Sequence, residues 1–219
     1  YLCKIVAKTV PLQIDLAGVK QQNGDYQVAG LATALDPYLE QIADEMLQHR
    51  NRKTVVFLPL IATAKKFTHL LRCRGLDATE INGESQGRTE ILERFDGQSG
   101  GILCNAMLLT EGWDCPSVDC ICVLRPTRIR SLYAQMVGRG TRIHPGKENL
   151  LILDFLWHTS THELCRPASL ICETPETAAQ MTGILADAAG TELDLVDLEQ
   201  QAESNVVAER EEALAKKLR

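Results

Sequence analysis

The sequence has no long apolar run and no recognisable export signal. None of its apolar segments approaches the ~20 consecutive residues that a membrane-spanning helix needs, and its first residues do not form a signal peptide. At 219 residues, the chain is long enough for one substantial core with extensions. It starts at Tyr1 without a methionine, so we expect a segment of a longer, cytoplasmic protein.

The sequence also lacks the paired C-x-x-C motifs that are typical of structural zinc sites. Its eight cysteines are irregularly spaced, and four of them, Cys104, Cys115, Cys120 and Cys122, cluster in sequence. Two of these four lie on a predicted buried strand, and free cysteine is among the most buried residue types. We therefore predict reduced, structural thiols and no metal, with a zinc site as the alternative.

Acidic residues are missing from one stretch and concentrated in another. Between Cys120 and Lys147 there are six Lys/Arg and no Asp or Glu, whereas 173–212 contains eleven Asp/Glu and a single Arg. The net charge of −6 therefore does not exclude a polyanionic ligand, because a local basic strip can face it. The alternative is that both stretches are solvated faces.

Short apolar strands alternate with amphipathic helices through the middle of the chain. Such alternation predicts an α/β fold with a parallel sheet that helices cover on both faces. A β-rich lead-in precedes this region, and a helix-prone acidic stretch follows it. The predicted strands are 54–58, 77–81, 101–106, 120–124 and 149–155, and the predicted helices between them are 63–74, 88–95 and 131–142.

Two loops at the predicted carboxyl ends of strands are unusual in composition. Ligands of parallel α/β domains bind at these ends. One loop covers 107–119, and the other begins at 125 and leads into the predicted helix 131–142. We expect the binding residues to lie on these two segments.

The predicted helix 131–142 carries an amide and two guanidiniums on one side. Gln135, Arg139 and Arg142 are spaced by four and three residues, which places them on the same helical face. Two arginine forks suit a polyphosphate, although surface salt bridges are the alternative. Gly138 costs a helix about 1 kcal/mol relative to alanine, so we expect a ligand or another backbone to approach it closely.

Two motifs in these segments resemble those of a known family. T-E-G-W-D-x-P-x-V-D at 110–119 and Q-x-x-G-R-x-x-R at 135–142 resemble motifs V and VI of superfamily 2 helicases. The strand at 54–58 with its following helix resembles motif IV, and the segment from Asn82 through Arg88 to Phe95 resembles the part that follows it. The similarity is greater to the branch that holds restriction-enzyme motor subunits, including type III-like enzymes, and DEAD/DEAH-type bacterial or phage DNA helicases.

The resemblance implies a RecA-like domain and a role for each motif residue. Arg139 and Arg142 correspond to arginine fingers that reach the γ-phosphate of ATP, and Gln135 to a residue that positions the phosphate and the attacking water. Gly112 and Asp114 correspond to the motif V pair near the nucleotide, with Asp114 towards the ribose.

The resemblance also implies a nucleic-acid track and a division of the chain. Thr110 corresponds to a residue that contacts the nucleic-acid backbone, and we place Glu111 and Arg88 beside it. Trp113 stands where Phe or Leu is commoner, and we interpret it as a core substitution. The implied domains are 1–35, a lead-in from the preceding domain; 36–160, the RecA-like domain; and 161–219, the helical acidic extension.

The chain lacks the other half of an ATP site. A P-loop needs G-x-x-x-x-G-K followed by Ser or Thr, but the Gly146-Lys147 pair is followed by Glu148. Asp44-Glu45 lies within an amphipathic helix, so we reject it as the Mg²⁺-binding acidic box. ATP and Mg²⁺ would then be held largely by an N-terminal RecA-like domain of the same protein.

The sequence therefore predicts the C-terminal motor domain of an ATP-dependent helicase or translocase, with DNA favoured as the track. By itself this domain is expected to be inactive as an ATPase. One alternative is a non-catalytic nucleic-acid- or protein-binding module derived from a helicase half. A Rossmann-type dinucleotide domain is disfavoured, because no G-x-G-x-x-G follows a predicted strand.

Overall fold

The computed structural model describes residues 2–106, 113–158 and 164–217. Helices and strands alternate along most of this length, as the apolar pattern predicts. The strands are β1 (Ile5–Asp15), β2 (Gln21–Gln22), β3 (Asp25–Tyr26), β4 (Lys53–Phe57), β5 (Ala78–Ile81), β6 (Gly101–Asn105), β7 (Cys120–Val123), β8 (Leu150–His158) and β9 (Glu192–Asp194). The helices are α1 (Val28–Leu35), α2 (Leu39–Met46), α3 (Ile61–Cys73), α4 (Arg88–Gly97), α5 (Arg130–Gly138), α6 (Ala168–Ile171), α7 (Pro175–Asp187) and α8 (Leu195–Lys217), with 3₁₀ turns at Asp36–Tyr38 and Leu47–His49.

Seven of the strands form one sheet in the order β5-β6-β4-β7-β8-β1-β9. Strands β5, β6, β4, β7, β8 and β1 are parallel, and β9 joins β1 in the antiparallel direction. The prediction of a parallel α/β sheet with helices on both faces is confirmed. Within the described ranges, no helix combines the length and apolar content that a membrane span requires.

The central strands are apolar on both faces, and successive side chains therefore enter two separate cores. On β4, Val56 packs with one core cluster, which includes α1, α2 and α3, while Val55 packs with the other. Lys53, at the start of β4, is only 2% exposed. Its Nζ donates to the carbonyl oxygens of Asp96 (2.8 Å) and Gln98 (3.0 Å) and to Ser117 Oγ (2.8 Å), so the buried charge is fully hydrogen-bonded.

The segments before and after the central strands complete the same sheet. β1 pairs with β8 on one side and β9 on the other, so the β-rich lead-in joins the main sheet. Thr174 Oγ1 caps α7 by accepting from Thr177 N at 3.2 Å, and Pro175 is the first residue of the helix. The short strand β9 is not evident in the sequence. The domain boundaries near residues 35 and 160 stay a prediction.

Helix α5 is shorter than predicted and ends at Gly138. Gly140 explains why the chain cannot continue as a packed helix there. A Cβ atom on Gly140 would overlap Leu150 Cδ1 and lie 3.2 Å from Ile121 Cγ1. The backbone thus leaves the helix to pass close to the sheet: Arg139 is the C-cap residue of α5, with φ −62° and ψ −28°, and Arg142 lies beyond the helix. The prediction that both extend from one helical face is wrong.

We expect Gly140→Ala to lower the free energy of unfolding of this chain by about 1–3 kcal/mol, the usual cost of overpacking a core. Gly138→Ala is the matched control, because no described atom lies within 4 Å of a Cβ at Gly138. This control should leave stability unchanged or raise it by up to about 1 kcal/mol. Urea denaturation of both variants measures the difference, and equal stability of the two would contradict the close approach at Gly140.

Candidate functional site at the amino edge of the sheet

Helix α5 carries the chain from one edge of the sheet to the other. It follows β7 and runs antiparallel to it, so Arg130 is near the carboxyl edge and the segment after Gly138 is near the amino edge. Thr141 O accepts a hydrogen bond from Cys3 N (2.8 Å), just before β1. Arg139 and Arg142 therefore lie at the amino edge, at the opposite end of α5 from the loop that begins at residue 125.

The two arginines both bind the segment that carries Trp113 and Asp114. Arg139 Nη1 donates to the backbone oxygen of Trp113. Arg142 Nη1 donates to Asp114 Oδ2 and forms an ion pair with it. The side chains of this pair are exposed by 60% for Arg142 and 44% for Asp114. Residues from the two motifs thus lie together at an accessible position.

Trp113 holds this segment against the body of the domain. Its ring centroid is 6.1 Å from that of the buried Phe95, with the planes tilted by 48°. Lys53 Nζ lies 5.1 Å from the centroid of the same Phe95 ring. Trp113 packs against the core cluster, as a core substitution would.

Gln135 and Gly138 are both exposed on α5. Gln135 lies one helical turn before Arg139, so it is on the side of the helix that leads to the arginine segment. The close approach that we predicted at Gly138 is found instead at Gly140, as far as the described residues show. Gly138 leaves open space that a ligand or another domain can enter.

The basic strip between Cys120 and Lys147 is divided between the two edges of the sheet. Because α5 separates its two halves, the strip does not form one continuous surface. Arg125, Arg128 and Arg130 lie at the carboxyl edge, and Arg139, Arg142 and Lys147 lie at the amino edge.

The hairpin formed by β2 and β3 holds the carboxyl-edge half of the basic strip in place. Asp25 Oδ2 accepts from Thr127 Oγ1 (2.7 Å), and its Oδ1 accepts from Arg128 N (3.0 Å). Arg128 Nη1 donates to Gln21 Oε1 at 2.8 Å. Burial lowers the pKa of Arg125. Sequence reasoning missed Asp25, because a single acidic residue about a hundred positions away gives no local signal.

The predicted nucleic-acid residues fall partly outside the described ranges. Thr110, Glu111 and the nucleotide-site residue Gly112 lie outside the described residues. Arg88 begins α4, directly after the loop that follows β5, and is therefore at the carboxyl edge. It is exposed, and its Nη1 lies 3.4 Å from the backbone oxygen of Gly83.

The four clustered cysteines do not converge. Cys104, Cys120 and Cys122 belong to one core cluster, and Cys115 belongs to the other, across the sheet. Burial raises the pKa of Cys104 and of Cys120 to about 12. Within the described part of the chain, no group of three or more His, Cys, Asp or Glu is arranged to hold a metal ion.

We expect an alkylating reagent at pH 8 to modify Cys73 first, because it is exposed and the thiolate is the reactive form. Cys104 and Cys120 should react only after unfolding, since at their raised pKa almost no thiolate forms. Mass spectrometry of digested protein identifies the labelled positions, and Cys73→Ser should remove the fast phase. Rapid labelling of Cys120 in folded protein, or one zinc per chain by metal analysis, would overturn this interpretation.

Comparison with known proteins identifies the family to which the site belongs. Residues 37–144 match the helicase conserved C-terminal domain. A candidate ATP-dependent helicase of Saccharomyces cerevisiae, IRC3, is 30% identical over 178 residues, which are 78% of this chain and 26% of that protein. A candidate mitochondrial ATP-dependent helicase of Schizosaccharomyces pombe, irc3, is 37% identical over 119 residues, 52% of this chain and 20% of that protein.

Among solved structures, a fragment of a candidate HsdR subunit of a type I restriction enzyme from Vibrio vulnificus YJ016 has the same fold. It matches with a TM-score of 0.55 and 25% identity over 71% of this chain and 32% of that chain. The chain spans about a quarter or less of the length of the two yeast relatives. Its mostly parallel seven-stranded sheet is RecA-like, and residues 37–144 belong to the helicase conserved C-terminal domain family of superfamily 2 helicases.

Proposed function

We propose that this chain is the second motor domain of an ATP-dependent DNA helicase or translocase, and that it supplies Arg139 and Arg142 to an ATP held mainly by a partner domain. The observation that carries this proposal is the contact between the two motif segments. Arg142 pairs with Asp114 at an exposed position, and Arg139 binds the backbone of Trp113.

The donor set fits a polyphosphate. Two guanidiniums and an amide offer planar, charge-assisted hydrogen bonds to phosphate oxygens. An exposed ion pair contributes only about 0–1 kcal/mol, so the pairing of Arg142 with Asp114 can be exchanged at little cost. A ligand with higher negative charge can therefore take Arg142 and leave Asp114 available to a ribose hydroxyl.

ATP with Mg²⁺, when bound, supplies the phosphoryl group and neutralises part of its charge. In this chain Arg139 and Arg142 would stabilise the remaining charge, and Gln135 would orient the phosphate and the attacking water. Gly112 and Gly138 would leave room for the nucleotide. The P-loop and the Mg²⁺ ligands would belong to an N-terminal RecA-like domain of the same protein.

The nucleic-acid track would run along the carboxyl edge, away from the arginine site. Arg88 belongs to this edge and is exposed, and Arg128 adds positive charge there; Thr110 and Glu111, which lie outside the described residues, would contact the same strand. Phosphate contacts of this kind hold a strand without reading its sequence, as translocation requires. The resemblance to a candidate type I restriction subunit supports DNA over RNA. We propose a cytoplasmic location, although one relative is named as mitochondrial.

The test is the ATPase rate of the full-length protein with no nucleic acid, with single-stranded DNA, with duplex DNA and with RNA. We expect DNA to stimulate turnover more than RNA does. If RNA stimulates turnover and DNA does not, RNA would replace DNA as the proposed nucleic acid. Nucleic-acid binding without ATP hydrolysis would favour the alternative of a non-catalytic module.

A further inference from the structure

Lys147 lies at the amino edge of the sheet, beside the segment that carries both arginines. Its Nζ donates to the backbone oxygens of Arg142 (2.9 Å), Pro116 (3.3 Å) and Gly140. An ammonium has three N–H donors, so three carbonyls suffice to replace the water that it would otherwise bind. Burial lowers the pKa of Lys147, which agrees with protein groups having replaced part of its water.

A tight turn directs Lys147 back to these carbonyls. Lys147 N donates to His144 O at 3.1 Å, and Gly146 has a φ of +83°. Pro145 and Gly146 are the residues preferred at the two central positions of a type II turn, because proline fixes the first φ and glycine permits the positive second one. The Gly146-Lys147 pair does not form a P-loop. It completes the turn that brings Lys147 back to these carbonyls.

The three carbonyls belong to the two segments that make the arginine site. Pro116 follows Asp114 by two residues, and Gly140 and Arg142 lie in the arginine segment itself. Because α5 ends at Gly138, only turn hydrogen bonds from Gly140 N to Val137 O (2.9 Å) and from Thr141 N to Gly138 O (3.4 Å) tie the described backbone of this segment to the helix. The segment is also tied to the start of the chain, by the Cys3 N to Thr141 O bond, the Cys3 Sγ to Gly140 O contact and the bridge between Leu2 and Arg142, and Gly140 packs on Leu150.

We propose that Lys147 is a positioning residue, which fixes the backbone from Arg139 to Arg142 relative to Asp114 and so determines where the two guanidiniums point. This inference rests on the function proposed above. An arginine acts on a transferring phosphoryl group only at the correct place, and a displacement of about 1 Å can cost roughly 10²-fold in rate. Lys147 would act through the arginines without touching the nucleotide.

Replacing Lys147 with methionine in the full-length protein removes the three hydrogen bonds and keeps most of the side-chain volume. We expect kcat of the nucleic-acid-stimulated ATPase to fall about 10²-fold, with little change in KM for ATP, since the partner domain supplies most of the nucleotide binding. Lys216→Met is the matched control, because Lys216 is exposed on α8 and pairs only with Glu212 among the described contacts. It should leave kcat unchanged.

A double-mutant cycle separates positioning from general stabilisation. When Arg139 and Arg142 are both alanine, Lys147→Met should lower kcat little further, because the residue has nothing left to position. Circular dichroism and thermal melting check that each variant is folded. If Lys147→Met does not fold, Lys147→Gln is measured in the same cycle, since glutamine keeps two N–H donors; its kcat should fall less.

The outcomes distinguish this inference from the proposed function. Normal kcat for a folded Lys147→Met, with both arginine variants impaired, would overturn the role of Lys147 and leave the proposed function intact. An equal loss in both backgrounds, or failure of both Lys147 variants to fold, would make Lys147 a stability residue and also overturn it. A wild-type protein without nucleic-acid-stimulated ATPase would remove the proposed function and this inference with it.

Discussion

Replacing Arg142 with alanine in the full-length protein is expected to lower kcat of the ATPase by roughly 10³–10⁵, the usual value of an arginine finger. Arg139→Ala should have an effect of similar size. Arg139 donates to the backbone oxygen of Trp113 and Arg142 to Asp114, and neither arginine belongs to the two core clusters. Nucleic-acid binding without nucleotide should change little, because its proposed contacts are at the opposite edge of the sheet.

Two further variants make this prediction specific. Arg142→Lys keeps the charge but loses the planar fork, so it should still be badly impaired. Arg210→Ala, on the exposed face of α8, is the matched control and should have normal turnover. Near-normal kcat in a folded Arg139→Ala/Arg142→Ala double variant would mean that the arginines form only surface contacts, and the motor assignment would fail.

The chain of 219 residues by itself should hydrolyse no ATP and bind it weakly. It contains neither a P-loop lysine nor an acidic box at the end of a strand, and phosphoryl transfer relies on cradling and neutralising the phosphates. The measurement is phosphate release by the purified chain, with and without DNA, beside the full-length protein as positive control.

The same preparation also tests which part of the protein binds the nucleic acid. The carboxyl-edge cations belong to this chain, so the chain alone should retain weak DNA binding that falls with salt. DNA-stimulated turnover by the isolated chain would contradict the account, because the described residues contain no group of three or more His, Cys, Asp or Glu arranged to hold a metal ion.

The regular elements could be predicted from sequence because their apolar patterns are local. The run at Lys53–Phe57 and the face formed by Leu39, Ile42, Ala43 and Met46 on α2 are buried as expected. Continuous apolar strands separated by helices allow few arrangements other than a parallel sheet. The positions of β4 to β8 therefore followed from the sequence to within a few residues.

The geometry of the site could not be predicted from the sequence, because it depends on contacts between distant parts of the chain. The end of α5 is set by Gly140 against Ile121 and Leu150, and no helix-ending signal distinguishes Gly138 from Gly140 in sequence. For the same reason, the sequence placed Arg139 and Arg142 on one face of α5 and did not show that they lie at the amino edge of the sheet. Asp25 and Lys147 were missed as well, since each acts on backbone groups that only folding brings near.

The most direct test is a crystal structure of the full-length protein with ADP, Mg²⁺ and a transition-state mimic of the γ-phosphate such as aluminium fluoride. The account predicts that the Arg142 guanidinium leaves Asp114 and donates to the mimic at about 3 Å, a normal hydrogen-bond distance, with Arg139 beside it. A closed structure in which Arg142 remains on Asp114 and neither guanidinium reaches the mimic would contradict it.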